Sequence, residues 1–171
     1  MEPLSVAWHA VAASPLLSIG PEKASVLVLG GGPIGLAVVQ VLLAHGTKKV
    51  IMSEVATQRQ AFAREFGAHH VFDPRTDDLV AVSRELCDGD GPDIAFDCAG
   101  VVASLETACN AIRPRGTVVN VAICMSPLSL SLRLDCTKSG TRGKGGAVQP
   151  KYACLPGRSV QSSSRVPESR F

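Results

Sequence analysis

The run Gly30-Gly31-Gly32-Pro33-Ile34-Gly35 constrains this chain more than any other feature. It directly follows Ser25–Leu29 (SVLVL), a short apolar run rich in valine. It opens residues 34–45 (IGLAVVQVLLAH), a longer apolar run with no helix breaker after its first turn. A G-x-G-x-x-G in that position marks a parallel strand turning sharply into a helix. Gly30 permits the tight turn. Gly32 has no Cβ, so a pyrophosphate can approach the backbone, and Gly35 lets the helix lie close to the sheet. The first N–H groups of the helix and its dipole then face the phosphates. A purely structural glycine turn without a ligand is the alternative.

The rest of the pattern agrees with such a turn. Residues 34–45 are predicted as a helix closed by Gly46, and Lys49–Ser53 as a second strand. Residues 57–66 are expected to be helical, with Phe62 and Phe66 on one face and Gly67 at the end. A third strand follows at 71–72, then a helix over 77–87 with Leu79, Val82 and Leu86 inward. Strand four is expected at 93–96, a helix at 102–112 and strand five at 116–123. Short, β-branched strands alternating with helices predict an α/β fold. Its doubly wound parallel sheet has about five strands in the order 3-2-1-4-5, covered on both faces. Ahead of it, Glu2–Ala13 reads as a lead-in helix with Pro3 at its first position.

Composition limits the remaining choices. With 171 residues, 46% of them hydrophobic, the chain can build one ordinary domain. No apolar run reaches the roughly 18–20 residues of a membrane-spanning helix. The N-terminus lacks the features of a secretory leader, and the six cysteines follow no metal-finger spacing. Free thiols in a reducing cytoplasm are the expectation. Residues 1–132 carry 9 Lys+Arg against 13 Asp+Glu, and residues 133–171 carry 8 against 2. The last segment also holds 14 Gly, Ser or Pro residues. It is expected to be a basic, disordered tail. Without interleaved aromatic residues it does not suggest a nucleic-acid partner. The organisation expected is a lead-in over 1–20, a dinucleotide-binding domain over 21–130 and a tail over 131–171.

Glu54 closes strand two, 19 positions after Gly35. A carboxylate there accepts both hydroxyls of an adenosine ribose and repels a 2′-phosphate, which favours NAD(H) over NADP(H). Arg59 could flank the same ribose. Further cofactor contacts are expected from Cys98 and Ala99 after strand four and from Val121, Ala122 and Ile123 at the end of strand five. Cys98 has no evident base beside it and reads as a packed thiol rather than a nucleophile. His69 and His70 are adjacent on a strand, so they point to opposite faces and cannot chelate together.

The blocks EPLSVAWHAV, VLVLGGGPIGLAVVQVLLAHG, FGAHHVFDP, DIAFDCAG and IRPRGTVVNVAI resemble the medium-chain dehydrogenase/reductase superfamily. Within it the sequence is most similar to the zinc-dependent sorbitol and (R,R)-butanediol dehydrogenases, over about residues 2–127. The resemblance implies oxidation of a secondary alcohol to a ketone, with hydride transfer to NAD and a zinc polarising the alcohol oxygen. It matches Gly30, Gly32, Pro33, Ile34 and Gly35 to the coenzyme loop, Glu54 and Arg59 to the ribose site, and Val121, Ala122 and Ile123 to the nicotinamide segment. It matches Glu2 to the acid that approaches the zinc, the only part of a metal site that it supplies. No catalytic residue is assigned.

The family's upstream catalytic domain, with the other zinc ligands and most of the substrate pocket, has no counterpart here. Beyond about Pro127 the sequence departs from the family, and its sixth strand is expected to be missing. These departures suggest a fragment, doubtful as an oligomer although the family forms homo-oligomers. They leave open a stand-alone NAD(H)-binding module or a non-functional piece.

Overall fold

The computed structural model describes residues 2–122 and 151–154, the last four by their backbone alone. Most of the segment expected to be a disordered tail, together with Ile123, lies outside the described residues.

The chain enters through α1 (Glu2–Ala13) and the single turn α2 (Leu16–Ile19). It then alternates through β1 (Ser25–Leu29), α3 (Pro33–Ala44), β2 (Lys49–Ser53), α4 (Thr57–Glu65), β3 (His70–Phe72), α5 (Leu79–Leu86), β4 (Ile94–Asp97), α6 (Val102–Ala111) and β5 (Thr117–Asn120). The strands form one sheet in the order β3-β2-β1-β4-β5-β6, where β6 is Lys151–Cys154. Every adjacent pair is parallel. The order predicted for the first five strands holds.

The sixth strand departs from expectation. Lys151–Cys154 aligns with β5 in the register Thr117↔Lys151 to Asn120↔Cys154, so at least this piece of the segment after 131 belongs to the sheet. The reason is general. β5 without a neighbour would expose a row of backbone N–H and C=O groups, and any extended segment can pair with such an edge whatever its side chains. Composition gives little warning of that.

Alternation along each strand distributes the core. Val26 and Val28 face one layer, and Leu27 and Leu29 the other. Val50 and Met52 oppose Ile51, and Ile94 and Phe96 oppose Ala95, in the same way. With a side-chain period of two, both faces of a central strand must be apolar if both are covered. The first layer is closed by Val38, Val39 and Leu42 of α3, with Ala7, Ala10 and Val11 of α1. The second is closed by Leu79 of α5 and by Leu105, Ala108 and Ala111 of α6. The small residues at 7 and 10 let α1 lie against α3, so the lead-in helix shares the main core. Each fully buried Val, Leu or Phe contributes about 1.5–3 kcal/mol.

Local boundaries differ by small amounts. α3 begins at Pro33, one residue earlier than expected, because proline has no N–H to lose in a first turn. α5 begins at Leu79, since Asp78 caps it by accepting from Ala81 N at 3.1 Å, while Asp77 turns back to accept from Asp73 N at 2.9 Å. In α5, Leu79 is buried as expected. Val82 and Leu86 are only half-buried, and Ser83 occupies the fully buried position. α4 turns Gln60 and Ala63 inward and leaves Phe62 and Phe66 exposed.

Candidate functional site

The carboxyl ends of β1, β2, β4 and β5 meet at one end of the sheet, where doubly wound folds bind their ligands. The turn after β1 is fixed from several sides. Gly30 N–H donates to Ser53 O at 2.8 Å, which ties the loop to β2. Gly30 has φ +98° and lies against the backbone of Cys98 and Ala99, so this position favours glycine on both counts. At Gly35 a Cβ would collide with the Gly30 carbonyl oxygen, which is how the helix comes so close to the strand.

Gly32 is different. A Cβ built there would meet nothing within 4 Å. No protein contact therefore requires glycine at this position, and the open space is available to a ligand. The first intrahelical bond of α3 runs from Leu36 N–H to Gly32 O at 2.9 Å, so the N–H groups of Ile34 and Gly35 precede the ladder. A helix N-terminus of this kind could hold a pyrophosphate. An apolar groove of about 570 Å³ runs from Gly31 and Gly32 along α3, walled by Leu4, Leu36 and Phe66, with Arg59 at its edge.

Glu54 lies just past β2 and is buried, with 4% of its surface exposed. Its Oε2 accepts from Gly31 N–H at 2.7 Å and its Oε1 from Ala56 N–H at 2.8 Å. Arg59 Nη1 stands 3.5 Å from Oε2. The carboxylate is thus held at the mouth of the glycine loop with the neighbouring cation exposed, and the two predicted ribose residues are together.

The loops after β4 and β5 meet at a residue that the sequence reading missed. Asp97 is 1% exposed. Its Oδ1 accepts from Ser104 Oγ at 2.8 Å, Ala99 N at 3.1 Å and Gly100 N at 3.4 Å. Its backbone oxygen accepts from Val121 N at 2.9 Å and Ala122 N at 3.1 Å. The structure therefore brings Ala99, Val121 and Ala122 together, with Asp97 organising them. The signal was an acid at a strand end followed by a turn of small residues and a serine seven positions on.

Cys98 is half-buried between this turn and Gly35. Burial pushes its thiol up to about 12, and the Asp97 charge adds to that. A thiol held protonated is a poor nucleophile.

Glu2 begins α1, as predicted. Among the described residues, no group of three His, Cys, Asp or Glu side chains could hold a metal ion. The described part of the chain therefore does not fit a zinc site, whereas the glycine turn and Glu54 do fit a dinucleotide. The Trp8 ring lies tilted at 33° against His45, with centroids 5.2 Å apart, at the far end of α3 from the glycine turn.

A doubly wound sheet with this turn and acid defines a dinucleotide-binding fold of the dehydrogenase type. The model of the zinc-binding dehydrogenase family matches residues 33–146, two thirds of the chain, and the chain belongs to that family. The match runs past residue 127, where the resemblance was expected to end. An (R,R)-butanediol dehydrogenase of Saccharomyces cerevisiae is 38% identical over 126 residues, covering 72% of this chain and 32% of that protein. The crystal structure of 2R,3R-butanediol dehydrogenase from Bacillus subtilis superposes with a TM-score of 0.65 at 36% identity, covering 71% of this chain and 34% of that one. A Sinorhizobium meliloti 1021 protein assigned as a zinc-binding dehydrogenase, bound to NADP, gives 0.64 at 31% identity over 71% of this chain and 35% of that one. The chain thus spans about a third of the length of these relatives. The cofactor class implied by the family is a nicotinamide dinucleotide. No helix among the described residues is long and apolar enough to cross a membrane.

Proposed function

We propose that this chain is the cofactor-binding part of a zinc-dependent dehydrogenase that oxidises a secondary alcohol, of the diol or polyol type, to a ketone. NAD(H) is the proposed cofactor. The observation that carries the reading is the pairing of an open Gly32 with a buried Glu54 held 2.7 Å from the Gly31 N–H. In this reading the N–H groups of Ile34 and Gly35 face the pyrophosphate, with Gly30, Pro33 and Gly35 shaping the turn. Glu54 accepts the adenosine ribose hydroxyls, beside Arg59. Ala99, Val121, Ala122 and Ile123 border the nicotinamide, with Cys98 packed behind them. When bound, the nicotinamide supplies the hydride acceptor. The chain's own residues hold it and shut water from one face.

The substrate class comes from relatives named as butanediol dehydrogenases and D-xylulose reductases. The domain proposed is 21–130, with 1–20 packed onto it and Lys151–Cys154 of the segment 131–171 added at the edge of its sheet, in a cytoplasmic protein.

Calorimetric titration of the 171-residue chain tests the cofactor. NADH should bind at least about tenfold more tightly than NADPH, a difference of about 1.4 kcal/mol. Glu54→Gln should narrow the gap. Equal affinities in the unmutated chain would overturn the reading.

A further inference from the structure

We infer that Asp73 and Arg75, in the loop after β3, are positioning residues that set the cofactor preference by fixing the turn that carries Glu54. The inference rests on the NAD(H) reading above.

The turn 54–56 presents two backbone carbonyls away from the glycine loop, and both are held. Gln60 Nε2 donates to Glu54 O at 2.8 Å, and Arg75 Nη2 donates to Val55 O. The two donors converge on one carboxylate. Arg75 Nε reaches Asp73 Oδ1 at 2.9 Å and its Nη2 reaches Oδ2 at 2.6 Å, while Gln60 Nε2 stands 3.4 Å from Oδ2. Asp73 also accepts from the Arg75 backbone N–H at 3.0 Å. β3 adds a further tie, since Glu54 N–H donates to Phe72 O at 3.1 Å. The Glu54 carboxylate is gripped on one side by Gly31 and Ala56, and its backbone on the other by the Asp73–Arg75–Gln60 group.

Geometry assigns the division of labour. Gln60 is buried, so it is part of the packing. Arg75 is largely exposed, with 63% of its side chain in solvent. Its contribution is directional: a planar fork can bind a carboxylate in two places and reach a carbonyl as well. The Arg75 guanidinium holds the Asp73 carboxyl down at about 2, so the pair stays ionised at any working pH. Arg75 engaged in this way is not a free cation for a 2′-phosphate. Loosening the clamp should let the Glu54 turn drift. A carboxylate that is less fixed accepts ribose hydroxyls less well and repels a 2′-phosphate less.

The test is the ratio of NADPH to NADH dissociation constants, measured by calorimetry on the full chain. Arg75→Ala should narrow the ratio by about threefold or more, the order of one ordinary net hydrogen bond. Its melting temperature should change little because the side chain is exposed. Arg75→Lys should also narrow the ratio, since an ammonium keeps the charge but cannot reproduce the fork. On a Glu54→Gln background, Arg75→Ala should have no further effect, because it acts through Glu54. A ratio that widens in Arg75→Ala would show a free phosphate-binding cation and overturn the inference. A lowered melting temperature with an unchanged ratio would show a structural role only, and overturn it as well. Should Glu54→Gln itself leave the ratio unchanged, the NAD(H) reading and this inference fail together. If Glu54→Gln narrows the ratio and the Arg75 variants do not, the inference alone fails.

Discussion

The backbone N–H of Gly31 donates a 2.7 Å hydrogen bond to Glu54 Oε2, joining the loop after β1 to the residue just past β2. A Cβ at position 31 would stand 3.1 Å from Glu54 Cγ and from Oε2. Gly31→Ala should therefore shift the carboxylate without breaking the fold. NADH affinity is expected to fall about tenfold, or about 1.4 kcal/mol, with a small change in melting temperature. Calorimetry and thermal denaturation of the variant check both halves.

Gly32 and Gly35 should respond in opposite ways. Gly35→Ala puts a methyl group into the Gly30 carbonyl oxygen and should cost at least about 2 kcal/mol of stability by overpacking. Gly32→Ala meets no protein atom within 4 Å. It should leave the free chain's denaturation midpoint nearly unchanged and abolish measurable cofactor binding. Normal binding by Gly32→Ala would show that the open space is not the phosphate site.

Cys98 should be inert to alkylation. With its thiol raised from 9.0 to about 12, thiolate is scarce at pH 8, and iodoacetamide should modify it only as fast as the fold opens. Because the folded state favours the neutral thiol, the stability linked to Cys98 is fully present below about pH 9. It is lost as pH rises from there towards 12. Rapid labelling of Cys98 in the native chain, read by mass spectrometry, would contradict this.

Asp73 should titrate near 2 rather than 3.8, because Arg75 bonds its side chain and lies beside it. Because the pair is open to solvent, with 63% of the Arg75 side chain exposed, the shift itself contributes little to fold stability. A carboxyl NMR titration should place Asp73 there, and Arg75→Ala should return it towards the ordinary range.

Metal content is a separate test of the chain. Since no three described His, Cys, Asp or Glu side chains converge, purified protein should hold less than one zinc per molecule. NADH formation from 2,3-butanediol should be undetectable, because a catalytic zinc needs three protein ligands and an open position. Stoichiometric zinc with turnover would place the ligands among residues outside those described.

The sequence by itself determined the strand order, the glycine turn and the place of Glu54. These depend on local chemistry: apolar runs long enough for one strand, glycines at fixed spacing, and an acid where the second strand ends. Side-chain alternation and right-handed crossovers then leave few topologies. Other features were decided only by tertiary structure. Asp97 gathers Ala99, Gly100, Ser104, Val121 and Ala122; the acid, the small residues and the serine mark the local turn, but nothing along that segment specifies the bonds from Val121 and Ala122. Gln60 reads as a surface residue of a polar helix, and is buried because its amide satisfies the carbonyl of Glu54. Arg75 and Val55 meet across 20 positions because β2 and β3 lie side by side. Lys151–Cys154 becomes a strand because β5 offers an edge. In each case a buried or unpaired polar group finds its partner far along the chain. Such pairings follow from which strand ends are neighbours, and periodicity along one segment carries no record of them.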